Sequence, residues 1–223
     1  PKIAEQINKA KTMFNVAMAK VNYDAKYTYC YCTKSSHFSF ILEEVLKNDA
    51  HIETSSAYDI EIIKELHANN KITKSNFIIS NGFKREPYLS GVLDLIHDGF
   101  NIVPILDNKR ELDYYITNSN KKTEINIGIR IASEEEPSFE FYTSRLGIRH
   151  KDIKEFYKTK IKPLENVNLK MLHFFINTGI KDTTYYWTEL LKALNIYCEL
   201  KKICPELEGL NIGGGLPFKN SLG

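Results

Sequence analysis

Short apolar runs followed by amphipathic segments recur along this chain, and that alternation restricts its fold more than any single residue does. Residues 27–32 have strand composition, and Phe38, Ile41, Leu42, Val45 and Leu46 then fall at the three-and-four spacing of a helix with one buried side. The unit repeats: a short strand at 51–54 precedes a helix over 60–66, and a run at 77–80 precedes an NGFK turn and a helix through Ile96. Pro87 suits the first turn of that helix and Gly99 its stop. Residues 101–106 form the next strand, with Leu112, Tyr115 and Ile116 marking its short helix. Six strand–helix units and a seventh strand predict a parallel sheet with right-handed crossovers, either a barrel or a doubly wound sheet. No strong dinucleotide fingerprint opens the chain, and polar residues follow several different strands, which favours a TIM-like (β/α)8 barrel.

Details of the pattern set further expectations. Ile3, Ile7, Ala10, Phe14, Ala17 and Val21 share one face of an opening helix. Ser56 with Asp59 three positions later has the form of a capping box. In residues 125–131 the isoleucines alternate with Asn126, Gly128 and Arg130, so Arg130 belongs to the less apolar face, near the strand's C-terminal end. Residues 133–148 are polar and aperiodic, as a working loop is. A helix from about Lys151, a strand over 169–175, a helix carrying Trp187, Leu190, Leu191, Leu194 and Cys198, and a strand over 210–212 complete the series. A barrel needs an eighth strand, so the 223 residues read as one partial domain, 1–223, of a longer protein.

Charge and cysteine content narrow the chemistry. Thirty Lys and Arg stand against 28 Asp and Glu without a basic stripe, which argues against nucleic acid as a partner. No apolar stretch approaches the roughly 18 residues needed to span a bilayer, and the expected setting is cytoplasmic. The spacings of Cys30, Cys32, Cys198 and Cys204 suit neither a disulfide framework nor a zinc site, so reduced thiols and no metal are expected.

Two places carry potential chemistry. Lys34 follows the first strand directly, within YCYCTKSS. An amine there is either a solvated surface group or, held close to the axis of a parallel barrel with its pKa lowered, a nucleophile able to condense with an aldehyde. Gly213, Gly214 and Gly215 follow the seventh strand, where a parallel barrel commonly binds phosphate through backbone N–H groups; the alternative is an ordinary strand-to-helix turn.

These segments occur together in one known family. YCYCTKSS, IETSSAYD, NGFK, ILDN, IRIA, SRLGI, LHFFINTGI and LNIGGGLP appear in the order found in the fold-type III pyridoxal-phosphate decarboxylases of basic amino acids, and the chain resembles them over nearly its whole length. NGFK, SRLGI and LHFFINTGI look most like biosynthetic arginine decarboxylases. The resemblance implies a barrel of the alanine-racemase type, incomplete here at about seven strands, with the family's C-terminal β-domain missing. It implies pyridoxal 5'-phosphate as cofactor, Lys34 as the catalytic lysine that binds it covalently, and Gly213, Gly214, Gly215 and the Thr178 hydroxyl at its phosphate. Glu53 and Arg130 match polar residues around the lysine and cofactor, and Asn81, Asp107 and Arg145 are weaker matches. The family often has a histidine stacked on the cofactor where this chain has Phe175; His173, two residues earlier, is the nearest histidine. A phenyl ring can stack but cannot hydrogen-bond or titrate.

The activity so implied is decarboxylation of L-arginine to agmatine in polyamine biosynthesis, by a homodimer with shared active sites acting on a small-molecule amino acid substrate. Ornithine, diaminopimelate or carboxynorspermidine decarboxylation, and a non-catalytic regulatory homologue, are the alternatives. The family's groups that face the pyridine nitrogen and the distal end of the substrate are expected beyond Gly223.

Overall fold

The structure, a computed structural model, describes residues 2–132, 146–176 and 183–215. It divides into two compact units, Pro1–Ile102 and Val103–Gly223.

The first unit opens with helix α1 (Lys2–Lys20) and then alternates β1 (Cys30–Cys32), α2 (Ser39–Lys47), β2 (His51–Thr54), α3 (Ala57–Ala68), β3 (Ile78–Ser80) and α4 (Glu86–His97). The strands are parallel, Cys32 opposite Glu53 and Thr54 opposite Ser80. Ile52, Ile78 and Ile79 of the strands are buried with Leu42, Val45, Ile60, Ile63, Val92 and Leu95 of the helices. Each such side chain contributes about 1.5–3 kcal/mol on leaving water. α4 starts with Pro87 in its first turn, and Gly99, with φ +81°, follows its end.

Two expectations for this unit need correction. α1 is buried mainly through its first half, where Ile3 and Ile7 pack with Ile41, Val45 and Ala50; Phe14 stacks on Tyr27 (4.0 Å), while Ala17 and Val21 are exposed. The apolar stripe outruns the surface available to cover it. At α3 the Ser56 side chain makes no capping bond; the Asp59 carboxylate instead accepts from the N–H (2.8 Å) and hydroxyl (3.1 Å) of Ser55. Asp59 therefore ties the end of β2 to the helix.

The second unit holds β4 (Ile102–Leu106), α5 (Lys109–Asn118), β5 (Ile125–Arg130), α6 (His150–Phe156) running into a π-helical turn (Tyr157–Ile161), β6 (Val167–His173), α7 (Thr183–Lys201) and β7 (Gly209–Asn211). These strands too are parallel and follow chain order. β6 begins two residues earlier than its composition suggests and stops at His173, which leaves Phe175 beyond the strand. A bulge interrupts the β5–β6 ladder: Ile127 opposes Leu169 and Gly128 opposes Met171, leaving Lys170 as the extra residue. On α7 the buried residues are Ala193 and Leu200, whereas Trp187 is 58% exposed and Leu191 and Cys198 are also exposed. The large apolar residues expected to face inward thus lie mostly outside.

Candidate cofactor site

In the first unit the candidate residues sit at the C-terminal ends of the strands. The chain turns as soon as β1 ends. The Ser35 N–H donates to the Cys32 carbonyl (3.1 Å), and both the N–H and hydroxyl of Thr33 donate to the Glu53 carbonyl (3.0 and 3.2 Å). Thr33 is only 1% exposed, yet Lys34 beside it is exposed. The backbone is anchored on both sides of Lys34 while its amine stays accessible, the combination a covalent capture group needs.

Glu53 charges this corner. Burial, with the Glu53 carboxylate adding to it, pushes the Cys30 thiol up to about 12. The same two causes raise Cys32, against an opposing pull from the backbone N–H and ammonium of Lys34. The Asn81 amide donates to Glu53 Oε1 (3.2 Å) and accepts the Gly82 N–H at its own oxygen (2.9 Å). Behind it the Tyr88 hydroxyl donates to the Asn81 carbonyl (3.1 Å) and lies 2.9 Å from the Thr54 hydroxyl, which in turn lies 2.9 Å from that of Ser80. Burial drives the Tyr88 phenol well above its ordinary range. Buried hydroxyls and amides that satisfy one another in this way make a rigid network.

In the second unit Arg130, 7% exposed at the end of β5, pairs with the fully buried Asp107 just past β4 (Nη1 to Oδ1, 3.6 Å). The Asp107 carbonyl accepts from Gly147 (2.8 Å), and its N–H donates to Glu111 (3.4 Å) in the first turn of α5. Asn108 caps that helix by accepting from Arg110 (3.0 Å) and Glu111 (3.3 Å). The Arg130 guanidinium lies 5.9 Å over the Phe175 ring.

His173 is buried, and its Nδ1–H donates to the Asn211 carbonyl (3.2 Å), which also accepts from the Phe174 N–H (3.1 Å). This holds β6 and β7 together where the glycine run begins. Gly213 and Gly215 have φ of +70° and +71°, a region that glycine enters freely. A methyl group on Gly213 would stand 2.9 Å from the Phe174 carbonyl and 3.2 Å from the Phe175 ring, whereas one on Gly214 would meet nothing within 4 Å. The Gly213 N–H is taken by the Asn211 side chain (2.8 Å), while those of Gly214 and Gly215 have no acceptor among the described residues. Backbone N–H groups without an acceptor among the described residues suit a phosphate.

The structure thus brings Lys34, Glu53 and Asn81 together in one unit, and Asp107, Arg130, His173, Phe175 and the three glycines in the other. Thr178 and Arg145 lie outside the described residues. Three residues that order this half-and-half arrangement carried no separate signal in the sequence: Tyr88, Asn211 and Lys84. Lys84 was visible only as the last letter of NGFK, and a lysine in a turn ordinarily reads as solvated.

The profile of the pyridoxal-dependent decarboxylase family, pyridoxal binding domain, matches residues 2–221. The chain belongs to this family. Among its relatives, a protein named biosynthetic arginine decarboxylase 2 from Synechocystis is 27% identical, over 96% of this chain and 35% of its own. The solved biosynthetic arginine decarboxylase of Campylobacter jejuni superposes with a TM-score of 0.76 at 24% identity, over 98% of this chain and 36% of that one. A lysine decarboxylase from Selenomonas ruminantium gives 0.67 at 19% identity, over 86% of this chain and 47% of that one. The fold class is therefore α/β, an incomplete TIM-like barrel of seven strands, and the chain spans about a third of the length of the curated relatives it matches. The cofactor of this decarboxylase domain is pyridoxal phosphate; within the first unit the accessible Lys34 has the chemistry to hold its aldehyde, and within the second the glycine run has the chemistry to hold a phosphate.

Proposed function

We propose that the protein is a pyridoxal-phosphate-dependent carboxy-lyase that converts L-arginine to agmatine and carbon dioxide. The observation that carries this reading is the accessible, backbone-anchored Lys34 at a parallel strand end in a chain of the decarboxylase family. Bound pyridoxal phosphate supplies the electron sink that lets the substrate carboxylate depart. Lys34 holds the cofactor covalently, and the N–H groups of Gly214 and Gly215, with the Thr178 hydroxyl, take its phosphate. Phe175, backed by Arg130, offers a flat face to its ring. Glu53, held by Asn81, supplies negative charge on the lysine side and can orient or move a proton at the lysine nitrogen.

Arginine is favoured over other basic amino acids because the Synechocystis relative, matched across nearly the whole chain, is named for arginine decarboxylation. The fold likeness to a lysine decarboxylase keeps a second diamino acid as the competing substrate. A non-catalytic regulator is disfavoured by the presence of both Lys34 and the glycine run. A homodimer with shared sites, located in the cytoplasm, follows from the same family resemblance. No described helix is long and apolar enough to cross a membrane.

The test is a carbon dioxide release panel on the full-length protein with arginine, ornithine, lysine and diaminopimelate, beside a titration with pyridoxal phosphate. The reading expects a cofactor absorbance change that Lys34→Ala removes, and release from arginine above the rest. An absorbance change without release from any of the four would favour the regulator. Equal change in Lys34→Ala would end the reading.

A further inference from the structure

His51 opens β2, is half-buried, and stands opposite Cys30 of β1. On its other side its Nδ1 accepts from the backbone N–H of Phe77 (3.1 Å), the residue before β3, and the two rings meet edge to face at 6.0 Å. A backbone N–H can only donate, so Nδ1 carries a lone pair and the ring is neutral, with its proton on Nε2. The backbone pairing beside this bond is thin: the Ile52 N–H reaches the Phe77 carbonyl at 3.4 Å, long for a ladder bond, and the Ile78 N–H turns to the Asn101 carbonyl (2.9 Å). A titratable acceptor therefore supplements the first rung between β2 and β3.

We propose that His51 is an acid-operated latch: the neutral ring clips the start of β3 to the start of β2, and a proton on Nδ1 sets two donors against each other and releases it. The latch lies at the opposite end of the parallel strands from Lys34, so it acts on the sheet and not on the amine.

The surroundings set the direction of its response. Burial, opposed by the Asp49 carboxylate and helped by Lys26 and Lys11, holds the His51 imidazole below its ordinary 6.5. Lys11 comes from α1, Lys26 from the segment before β1, and Asp49 from the turn after α2, where it pairs with Lys11 (3.5 Å). Across the ladder, Cys30 titrates only near 12 and stays an uncharged thiol, and Phe77 on the β3 side does not titrate. With the folded pKa lowered, the unfolded chain takes up the proton first. The latch thus contributes fully above pH 6.5, and its contribution is lost as pH falls below 6.5 through the folded value.

The experiment follows hydrogen exchange of the full-length protein by mass spectrometry, on peptides that contain Phe77, from pH 8 to pH 5, with rates corrected for the intrinsic pH dependence of exchange. In the parent, protection there should fall about fivefold over this range, the loss of one hydrogen bond. His51→Asn keeps an amide oxygen the same number of bonds from Cβ as Nδ1, and that oxygen does not titrate, so its protection should change by less than about twofold. His51→Phe, with no acceptor, should be poorly protected at both ends of the range. Asp49→Asn should move the fall in the parent to lower pH, because it removes the carboxylate that favours the protonated ring. Should His51→Phe fail to fold, the parent and His51→Asn decide alone. A parent whose protection stays level would overturn the proposal, as would an acid fall in His51→Asn equal to that of the parent.

Discussion

The strand ends around Lys34 are furnished with side chains that bond one another, whereas the glycine run after β7 presents main chain. Around Lys34, the groups of Asn81, Thr54, Ser80 and Tyr88 form a connected set of donors and acceptors that reaches Glu53. Around the glycine run, the ordering bonds come from carbonyls and N–H groups, with Asn211 receiving His173 and Phe174 on its carbonyl and Gly213 on its side chain. The two constructions fail differently. A side-chain network loses function when one member is shortened, while a backbone cradle loses it when a Cβ is added.

Substitutions can separate the two. The largest effect is expected from Lys34→Ala: complete loss of covalent cofactor capture, with stability changed by less than about 0.5 kcal/mol because the side chain is exposed. Absorbance titration and chemical denaturation read the two quantities. Arg130→Met should destabilise the protein by more than about 1 kcal/mol, since it removes one charged partner of the fully buried Asp107, and denaturation would show it. Gly213→Ala should cost about 1–3 kcal/mol through its positive φ and the close Phe174 carbonyl. It should also weaken pyridoxal phosphate more than pyridoxal, which lacks the phosphate. Gly214→Ala meets no neighbour, so a selective loss there would report the ligand contact alone.

The smallest effect concerns pH. The folded Cys30 thiol titrates near 12 against 9.0 for an ordinary thiol, so it contributes stability that is whole below pH 9 and is lost as pH rises toward 12. Cys30→Val should flatten the alkaline decline in melting temperature. At pH 8, iodoacetamide should reach the exposed Cys198 of the second unit well before Cys30.

Much of this was legible in the sequence because strand–helix alternation depends on local period, and every strand and helix expected from it is present. Lys34 and the glycine run were legible for the same reason: each directly follows an apolar run. Glu53 and Arg130 were marked by position and family likeness. What the letters hid was pairing across the sheet. Ser55 rather than Ser56 meets Asp59, and Lys84 is buried rather than solvated; both outcomes depend on neighbours distant in sequence. On α7, hydrophobicity pointed to Trp187 and Leu191, but the buried positions are Ala193 and Leu200, a face set by packing that the letters do not show.

The bulge in β6 has a consequence for how this chain can vary. Before it, Asn126 opposes Asn168; after it, Arg130 opposes His173, where an unbroken ladder would have set Leu172. Lys170 is thus a reading-frame shift within the sheet, which brings the His173 and Phe175 parity onto the side of Arg130. Deleting that single lysine would close the ladder with the same partners, Arg130 still opposite His173, whereas removing a residue between the bulge and His173 would turn the end of β6 over. A length change at positions 171–172 is therefore a stronger perturbation of the second unit's site than a substitution of any residue in β6 before His173.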